Sequence, residues 1–260
     1  PHLVGKKLLD YYSINSDLIK YAYTHLNFNE HAKVFGKFGG YAYLKTIVDI
    51  LKDAANNNSL LLDGGDTWQG SGLSLLENGK DMVEASNILG VDVMTGHWEF
   101  TYGSDRVEEL KEILDFPFLA GNVRDTEWEE EVFDSTTTFE RGGVKIAVIG
   151  QAFPYTPVAN PRYMIPTWSF GIRETLVQKR VNEARASGAE LIVLLSHNGF
   201  DVDRKLASRV RGINVILSIQ QPRSDIFRLM DRVLVLSCNG EMVYSGTCLL
   251  YTSPSPRDKR

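Results

Sequence analysis

The sequence LLLDGGDTWQG at residues 60–70 is the stretch on which the prediction of the fold rests. It is a short apolar run followed by Asp63, two glycines and Asp66. A run of this length bounded by glycine predicts a buried strand, and the residues after it predict a tight loop with few side chains. Open α/β sheets place their functional groups just beyond the carboxyl ends of strands. The stretch therefore predicts a functional carboxylate, Asp66, at one edge of a sheet.

Apolar runs alternate with amphipathic helical patterns along most of the chain. Leu44, Ile47, Val48 and Leu51 follow helical spacing and predict a helix with one buried face over residues 41–56. Further helices are predicted at residues 82–89, 107–114, 172–187 and 202–210, and strands at residues 91–94, 116–120, 144–149, 191–195 and 215–217. Residues 124–143 interrupt this alternation and are predicted to contain an antiparallel strand; we call them the antiparallel excursion. Such alternation indicates a layered α/β fold whose strands are buried on both faces.

Composition excludes several classes of function. The chain has 260 residues, of which 43% are hydrophobic, and a formal net charge of -5. That charge gives no electrostatic footprint for nucleic acid or for an anionic membrane surface. No apolar stretch approaches the roughly 18 residues of a membrane span. The two cysteines, Cys238 and Cys248, lie near the end of the sequence, so a disulfide framework is not predicted for the residues before them.

Three side chains of the kinds that bind metals follow three separate predicted strands. They are Asp66, His97 and His197, and a glycine lies beside each of them. Because the carboxyl ends of parallel strands meet at one edge of a sheet, these side chains can converge and hold a metal ion. The alternatives are that Asp66 is a turn or helix-capping residue and that both histidines are buried and hydrogen-bonded for structural reasons. The shared pattern favours the metal site.

Two of these segments resemble motifs of the metallophosphatase superfamily, in its 5′-nucleotidase branch. GGDTWQGS at residues 64–71 is similar to the GD-x-x-QG motif, whose Asp bridges two metal ions, and LLSHNG at residues 194–199 is similar to the SH-x-G motif, whose His binds one of them. Nucleotidases of this branch carry G-N-H-E-F-D-Y-G between these motifs. Its Asn is a metal ligand, and its His, oriented by the Asp, handles the phosphoryl group.

The middle motif departs from the nucleotidase pattern. GHWEFTYG at residues 96–103 aligns with it without gaps. His97 takes the position of the Asn, Trp98 that of the catalytic His and Thr101 that of the Asp. The residue pair that handles phosphate is therefore absent from this chain.

The sequence with this substitution resembles the SoxB-type thiosulfohydrolases of sulfur oxidation. The resemblance covers roughly residues 1–217 and includes the blocks PHLVGK, GKFGG, DMVEA, TGHWEFTYG, IAVIGQAFPYTPVANP and FGIRE. It implies an incomplete metallophosphatase-like αββα sandwich with two divalent ions, most often manganese. It also implies a periplasmic location and hydrolysis of a thiosulfonate on the cysteine arm of a SoxYZ-like sulfur-carrier protein, which releases sulfate.

The resemblance also assigns roles to individual residues. Asp66 would bridge the two ions, and His97 and His197 would hold one of them. Trp98 would form an apolar wall of the substrate pocket, with core packing as the alternative. Asn198 would support the ligands from behind, as could Asp201 and Asp203, with capping of the helix that follows as the alternative. Asn122 resembles a superfamily position near the site.

Two further motifs of the superfamily are not in the sequence. D-x-H is expected before Pro1, and G-G-H-x-H is expected after the strand at residues 215–217. Without them one ion lacks nearly all its protein ligands and the other lacks a histidine. We therefore expect no stable dinuclear site and weak or no turnover from this chain alone.

The last 42 residues have a different character. Residues 219–246 resemble a segment of the G-subfamily ABC transporter ATPases, without the phosphate-binding loop of such enzymes. Residues 247–260 resemble translated sequencing-adapter read-through. The predicted organisation is a partial catalytic domain at residues 1–218, a foreign segment and a tail. Three alternatives stay open beside the thiosulfohydrolase: a 5′-nucleotidase-like phosphoesterase, an ATP-driven transporter component and a non-catalytic chimeric fragment.

Overall fold

A computed structural model describes residues 5–18, 20, 27–36, 40–218, 233–236 and 242–246. The chain divides into two compact units. The terminal unit comprises residues 1–50 and 223–260, and the sheet unit comprises residues 51–222. The described elements of the terminal unit are helices α1 (Gly5–Tyr11) and α2 (Phe28–Phe35), most of α3 (Tyr41–Ala54), and the antiparallel strands β9 (Val233–Leu236) and β10 (Met242–Gly246).

The sheet unit is built around a four-stranded sheet with the order β4-β5-β7-β8. The edge strand β4 (Thr136–Arg141) is antiparallel to β5 (Val144–Gln151), and β7 (Leu191–Ser196) and β8 (Val215–Ser218) continue in parallel with β5. Helices α8 (Glu174–Ala186) and α9 (Phe200–Arg209) connect the parallel strands. Their buried side chains pack with those of β5 and β7 in one apolar cluster, so the two helices form a layer on this sheet.

A second, shorter layer of strands packs on the same sheet. Strands β1 (Leu62–Asp63) and β2 (Val93–Met94) pair in parallel, and Met94 is bridged in turn to Phe118. A second apolar cluster joins the two layers through side chains of β2, β5 and β7. Gly150 allows their close approach, because a Cβ atom there would lie 2.3 Å from the Cβ of Leu119.

The remaining elements connect these layers. They are α4 (Gly72–Leu76), α5 (Lys80–Leu89), a 3-10 helix (Trp98–Tyr102), α6 (Ser104–Lys111), β3 (Arg124–Asp125), α7 (Thr156–Ala159), a second 3-10 helix (Arg162–Met164) and β6 (Trp168–Ser169). The predicted α/β fold is confirmed, and so are the predicted alternation of helices and strands and the antiparallel excursion. No helix in the described ranges is both long enough and apolar enough to cross a membrane.

Two local expectations were wrong. The predicted strand at residues 116–120 is reduced to isolated bridges at Phe118 and Leu119, since Pro117 has no N–H with which to continue a ladder. Leu51, predicted on the buried face of α3, is 52% exposed, whereas Val48 on the same face is buried. The predicted domain boundary at residue 218 stays a prediction, and most of residues 219–260 lies outside the described residues.

Glu131 ties the antiparallel excursion to α8. Its carboxylate accepts hydrogen bonds from Ser135 Oγ at 2.7 Å, from Arg124 at 2.9 Å and from Arg180 on α8. Burial opposes ionisation of Glu131, but the hydrogen bonds from Ser135 and Arg180 and the two positive charges hold its pKa below the usual value. A carboxylate with a depressed pKa in the folded state stabilises the fold above its unfolded pKa.

The Glu131→Gln substitution is expected to lower the free energy of unfolding by about 1 to 2 kcal/mol at pH 7, because it removes charge-assisted hydrogen bonds. The difference in stability from the wild type should shrink as the pH falls below about 4, because the unfolded chain binds a proton at this carboxylate before the folded protein does. Urea denaturation over a pH series measures both effects. Glu84→Gln, which removes an exposed pair with Lys80, is the control and should change little. A pH-independent loss would contradict the ionic role of Glu131.

Candidate metal centre

The three predicted ligands lie together at the ends of three strands. Asp66 follows β1, His97 follows β2 and His197 follows β7. The imidazole rings of His97 and His197 stack with centroids 4.1 Å apart and planes within 9° of parallel. Asp66 Oδ1 lies 3.3 Å from His97 Nδ1. The sequence predicted one sheet edge, but β7 belongs to the other sheet, so the cluster forms where the edges of the two layers meet.

A tight loop presents Asp66. Asp66 has the left-handed φ of 66°, and its side chain is 46% exposed. Gly65 packs backbone to backbone against the His97 loop, because a Cβ atom there would lie 2.7 Å from the carbonyl oxygen of Thr95. Glycine is thus required at this position for contact between two loops.

His97 is buried among aromatic rings. The Phe153 ring lies nearly perpendicular to its imidazole with the ring centroids 4.4 Å apart, and the centroid of the Trp98 ring lies 4.9 Å away. Neither ring nitrogen of His97 has a well-aligned hydrogen-bond partner in the described part of the chain. Burial and the adjacent His197 lower the pKa of His97 to about 4, although Asp66 opposes this shift. His97 is therefore neutral near pH 7, which is the state that binds a metal.

His197 is fixed by the backbone of the Asp66 loop. Its Nδ1 lies 2.6 Å from the carbonyl oxygen of Gly64. Because a carbonyl only accepts hydrogen bonds, Nδ1 carries the proton, and Nε2 keeps the lone pair with which imidazole binds metals. Burial lowers the pKa of His197. The same contact joins the loop after β1 to the loop after β7.

The side chains of Asp66, His97 and His197 are chemically suited to bind a divalent ion, but they are too few to complete its coordination shell. Two neutral imidazoles and a carboxylate are common metal ligands, and both ring nitrogens of His97 are buried without a well-aligned hydrogen-bond partner among the described residues. Within the described ranges, however, no group of three or more His, Cys, Asp or Glu side chains is arranged to hold a metal ion. The chain brings the three predicted ligands together without closing them into a complete coordination shell.

Asn198 and Asp203 form a buried polar cluster behind His197. Asp203 Oδ1 accepts hydrogen bonds from Ser196 Oγ at 2.7 Å and from Asn198 Nδ2 at 3.0 Å. The Asn198 backbone N–H donates to Ser196 Oγ. The residues on both sides of His197 are thereby held by one carboxylate. The alternative of helix capping is not observed, because the N-cap of α9 is Gly199 and no side chain caps this end.

Trp98 is half-buried beside His97 and is positioned by the 3-10 helix. Its carbonyl oxygen accepts hydrogen bonds from Thr101 Oγ1 at 2.7 Å and from Gln69 Nε2 at 3.0 Å. Gln69 also bonds to the hydroxyl of Thr101. The hydroxyl of Thr101 is therefore engaged with the backbone of Trp98 and with Gln69. It does not orient a side chain at position 98 as an aspartate would.

Sequence reasoning missed two carboxylates that organise these loops, Asp63 and Glu99. Asp63 accepts hydrogen bonds from the Gly65 N–H at 2.9 Å and from Thr67 Oγ1 at 2.8 Å, and burial raises its pKa. Glu99 is completely buried, and burial raises its pKa to about 7 although backbone N–H groups oppose the shift. The signals in the sequence were the place of both residues near the predicted ligands and, for Glu99, its match to the Glu of the middle motif.

Asn122 forms hydrogen bonds with backbone groups and not with the candidate metal ligands. Its side-chain amide donates to the carbonyl oxygens of Ala152 and Gly171, and its oxygen accepts from the Ala152 N–H. These bonds fasten the loops after β5 and before α8 to one another. Its side chain is thus used to join segments of backbone.

Comparison with known proteins shows that the chain is similar to 5′-nucleotidases. No family model matches it. The 5′-nucleotidase of Vibrio vulnificus is 32% identical over 204 residues, which are 75% of this chain and 36% of that protein. The venom 5′-nucleotidase of the snake Gloydius brevicauda is 30% identical over 190 residues, 69% of this chain and 31% of that protein. The chain spans about a third of the length of these curated relatives.

Comparison with solved structures shows similarity to related proteins. The structure of sulfate thiohydrolase SoxB from Thermus thermophilus is 39% identical with a TM-score of 0.68, and the match covers 84% of this chain and 41% of that one. Calcineurin-like phosphoesterase YfkN from Bacillus subtilis, at 21% identity and a TM-score of 0.62 over 70% of this chain and 63% of that one, shares the fold. None of these relatives supports the predicted transporter segment or read-through tail. The chain is thus homologous to the 5′-nucleotidases of the metallophosphatase superfamily, which are metal-dependent hydrolases, and has the calcineurin-like phosphoesterase fold.

Proposed function

We propose that this chain is part of a dinuclear-metal thiosulfohydrolase that hydrolyses a cysteine-linked thiosulfonate on a sulfur-carrier protein and releases sulfate. The observation that carries the proposal is the pair Trp98 and Thr101. An indole stands where a nucleotidase needs an imidazole, and the hydroxyl of Thr101 is bonded to the backbone of Trp98. The 39% identity to a SoxB structure supports it.

Asp66, His97 and His197 are the residues that would hold metal. Carboxylate and imidazole suit manganese, zinc or iron, and we propose manganese by resemblance to the family. Two divalent ions in such a site would lower the pKa of a water molecule and neutralise charge that develops on the reacting group. The contact between His197 and Gly64 presents Nε2 for such binding. Because His97 is buried and neutral, one of its ring nitrogens keeps a lone pair that can bind a metal.

The proposed reaction needs no general acid at position 98. Water oxygen bonds to the terminal sulfonate sulfur, the sulfur–sulfur bond breaks, and the electron pair leaves with the persulfide sulfur of the carrier. Sulfate, a persulfide anion and two protons are formed. A persulfide anion is a weaker base than an alkoxide and leaves without protonation. Trp98 excludes water from one side of the pocket and offers an apolar face to the sulfur chain.

The partner in this proposal is a SoxYZ-like sulfur-carrier protein that presents its cysteine on a flexible arm, and the location is the periplasm. Both follow from the resemblance to thiosulfohydrolases. A Thermus thermophilus structure that is 26% identical is described as a 5′-nucleotidase precursor, which agrees with export.

A second candidate function is a 5′-nucleotidase-like phosphoesterase. The curated relatives favour it, since the identities of 30% and 32% are to 5′-nucleotidases. Its difficulty lies in the same two residues, because neither Trp98 nor Thr101 can transfer a proton to a phosphate ester as a His-Asp pair does. The non-catalytic chimeric fragment is the third candidate.

Metal binding separates the catalytic candidates from the non-catalytic one. We expect the chain to bind at least one equivalent of Co²⁺, a spectroscopic substitute for Mn²⁺, and His197→Ala and Asp66→Ala each to weaken binding at least about tenfold. Visible absorption of Co²⁺ and isothermal titration measure this. His31→Ala is the matched control and should leave affinity unchanged. Absence of binding by the wild type would favour the non-catalytic fragment.

Product release separates the two hydrolases. The metal-loaded chain is incubated with a peptide cysteine thiosulfonate and, separately, with AMP. We expect weak turnover at most, with sulfate released faster than phosphate, because the site lacks the proton-transfer pair that a phosphate ester requires. Ion chromatography measures both products. Faster release of phosphate would establish the nucleotidase, and release of neither would contradict catalysis by this chain.

The double substitution Trp98→His with Thr101→Asp introduces the pair found in nucleotidases. We expect the ratio of phosphate to sulfate release to rise at least about tenfold, since general acid–base catalysis contributes on the order of 100-fold or more. The single substitution Thr101→Asp is the control, and it should leave the ratio low because Trp98 cannot transfer a proton. An unchanged ratio in the double variant would mean that these positions do not set substrate preference.

A further inference from the structure

Glu99 is a fully buried carboxylate that connects two loops of the metal centre. It lies in the 3-10 helix, two residues after His97, and has 0% exposure. Its Oε1 accepts a hydrogen bond from the Thr67 N–H at 2.7 Å and a longer one from the Trp68 N–H at 3.4 Å. Its Oε2 accepts a hydrogen bond from the His97 N–H at 2.6 Å.

These bonds reach both sides of the candidate ligand pair. Thr67 directly follows Asp66, so one oxygen of Glu99 fixes the backbone beside Asp66 while the other fixes the backbone of His97 itself. The opposite end of the Asp66 loop is held by Asp63, which accepts from the Gly65 N–H and from Thr67 Oγ1. Asp66 lies between these two anchors, in a left-handed conformation that a free loop would rarely maintain.

The chemistry of this contact requires a carboxylate. The hydrogen bonds that the described part of the chain gives to Glu99 come from backbone N–H groups, and no basic side chain there forms an ion pair with it. A buried carboxylate without a cation is costly, and a side chain that only filled space would be apolar. Only a carboxylate offers acceptor oxygens in two directions without also presenting a donor.

We propose that Glu99 is a positioning residue whose carboxylate fixes the spacing between the backbone that carries Asp66 and the backbone that carries His97. The spacing bears on affinity, because a metal binds tightly only where its ligands are already held at the right separation. The part of this inference that concerns metal affinity rests on the proposed metal centre.

Glu99→Gln tests the proposal with almost no change in shape. Glutamine keeps one acceptor oxygen, and its amide N–H group faces the N–H of whichever loop the oxygen does not serve. The substitution therefore breaks the connection between the loops. Glu131→Gln is the matched control, because it makes the same chemical change at a carboxylate that holds arginine and serine side chains.

Two measurements are made on the full chain and both variants. Titration with Co²⁺ should show affinity reduced about tenfold or more in Glu99→Gln and unchanged in Glu131→Gln, although both variants lose stability to urea. Amide hydrogen exchange by NMR should show that the N–H groups of Thr67 and His97 exchange faster together in Glu99→Gln, while those of the central strand β7 do not.

Each result decides the matter. Wild-type affinity in Glu99→Gln would overturn the proposal, and so would equal losses of affinity in the two variants, since general destabilisation would then be the cause. If the wild type binds no Co²⁺, the proposed function fails and exchange alone decides. Faster exchange in both loops would then support the positioning role, and unchanged exchange at Thr67 and His97 would overturn it.

Discussion

The contact between Gly65 and the backbone at Thr95 and Gly96 is the constraint on which the site depends. Strands β1 and β2 pair in parallel up to Asp63 and Met94, and the Thr95 N–H then donates to the Asp63 carbonyl at 3.0 Å. Both loops therefore leave the sheet at the same level. With no Cβ at Gly65, they touch, and this contact brings the side chains of Asp66 and His97 within 3.3 Å of each other.

Burial around this contact opposes charge on three carboxylates and two histidines. It raises the pKa values of Asp63, Glu99 and Asp203 and lowers those of His97 and His197. The carboxylates are instead held by backbone N–H groups and by neutral hydroxyl and amide groups. A divalent cation beside such groups favours ionised carboxylates and neutral imidazoles, so it would reverse the shifts of the carboxylates and sustain those of the histidines.

The sequence predicted the convergence of the ligands because the ends of strands and the types of residue that follow them can be recognised from short stretches of sequence. Asp66, His97 and His197 each follow an apolar run, and each lies where that pattern places it. Periodicity alone could not assign β7 to a different sheet from β1 and β2, since it does not specify which strands pair; only the resemblance to an αββα sandwich implied two sheets. The role of Glu99 was not predicted for another reason: its partners are backbone N–H groups, which every residue except proline has. The middle motif contains a glutamate at this position, but the motif does not show which groups that side chain contacts.

The segment from Trp98 to Thr101 shows how a motif can change its chemistry and keep its backbone. The ring of Phe100 is fully buried against Phe118, and Gly96 has no room for a Cβ atom because the Phe100 ring would lie 2.6 Å from it. The helix is therefore held by side chains that are not at the altered positions. The Thr101 hydroxyl donates a hydrogen bond to the carbonyl oxygen of Trp98. An ionised aspartate at this position has no proton to donate and could not form this bond. The substitution at position 101 thus adds a bond within the helix, and the Thr101 hydroxyl does not serve as an orienting partner for the side chain at position 98. A residue that must transfer protons requires such a partner, whereas an indole that forms a wall requires only its backbone to be fixed.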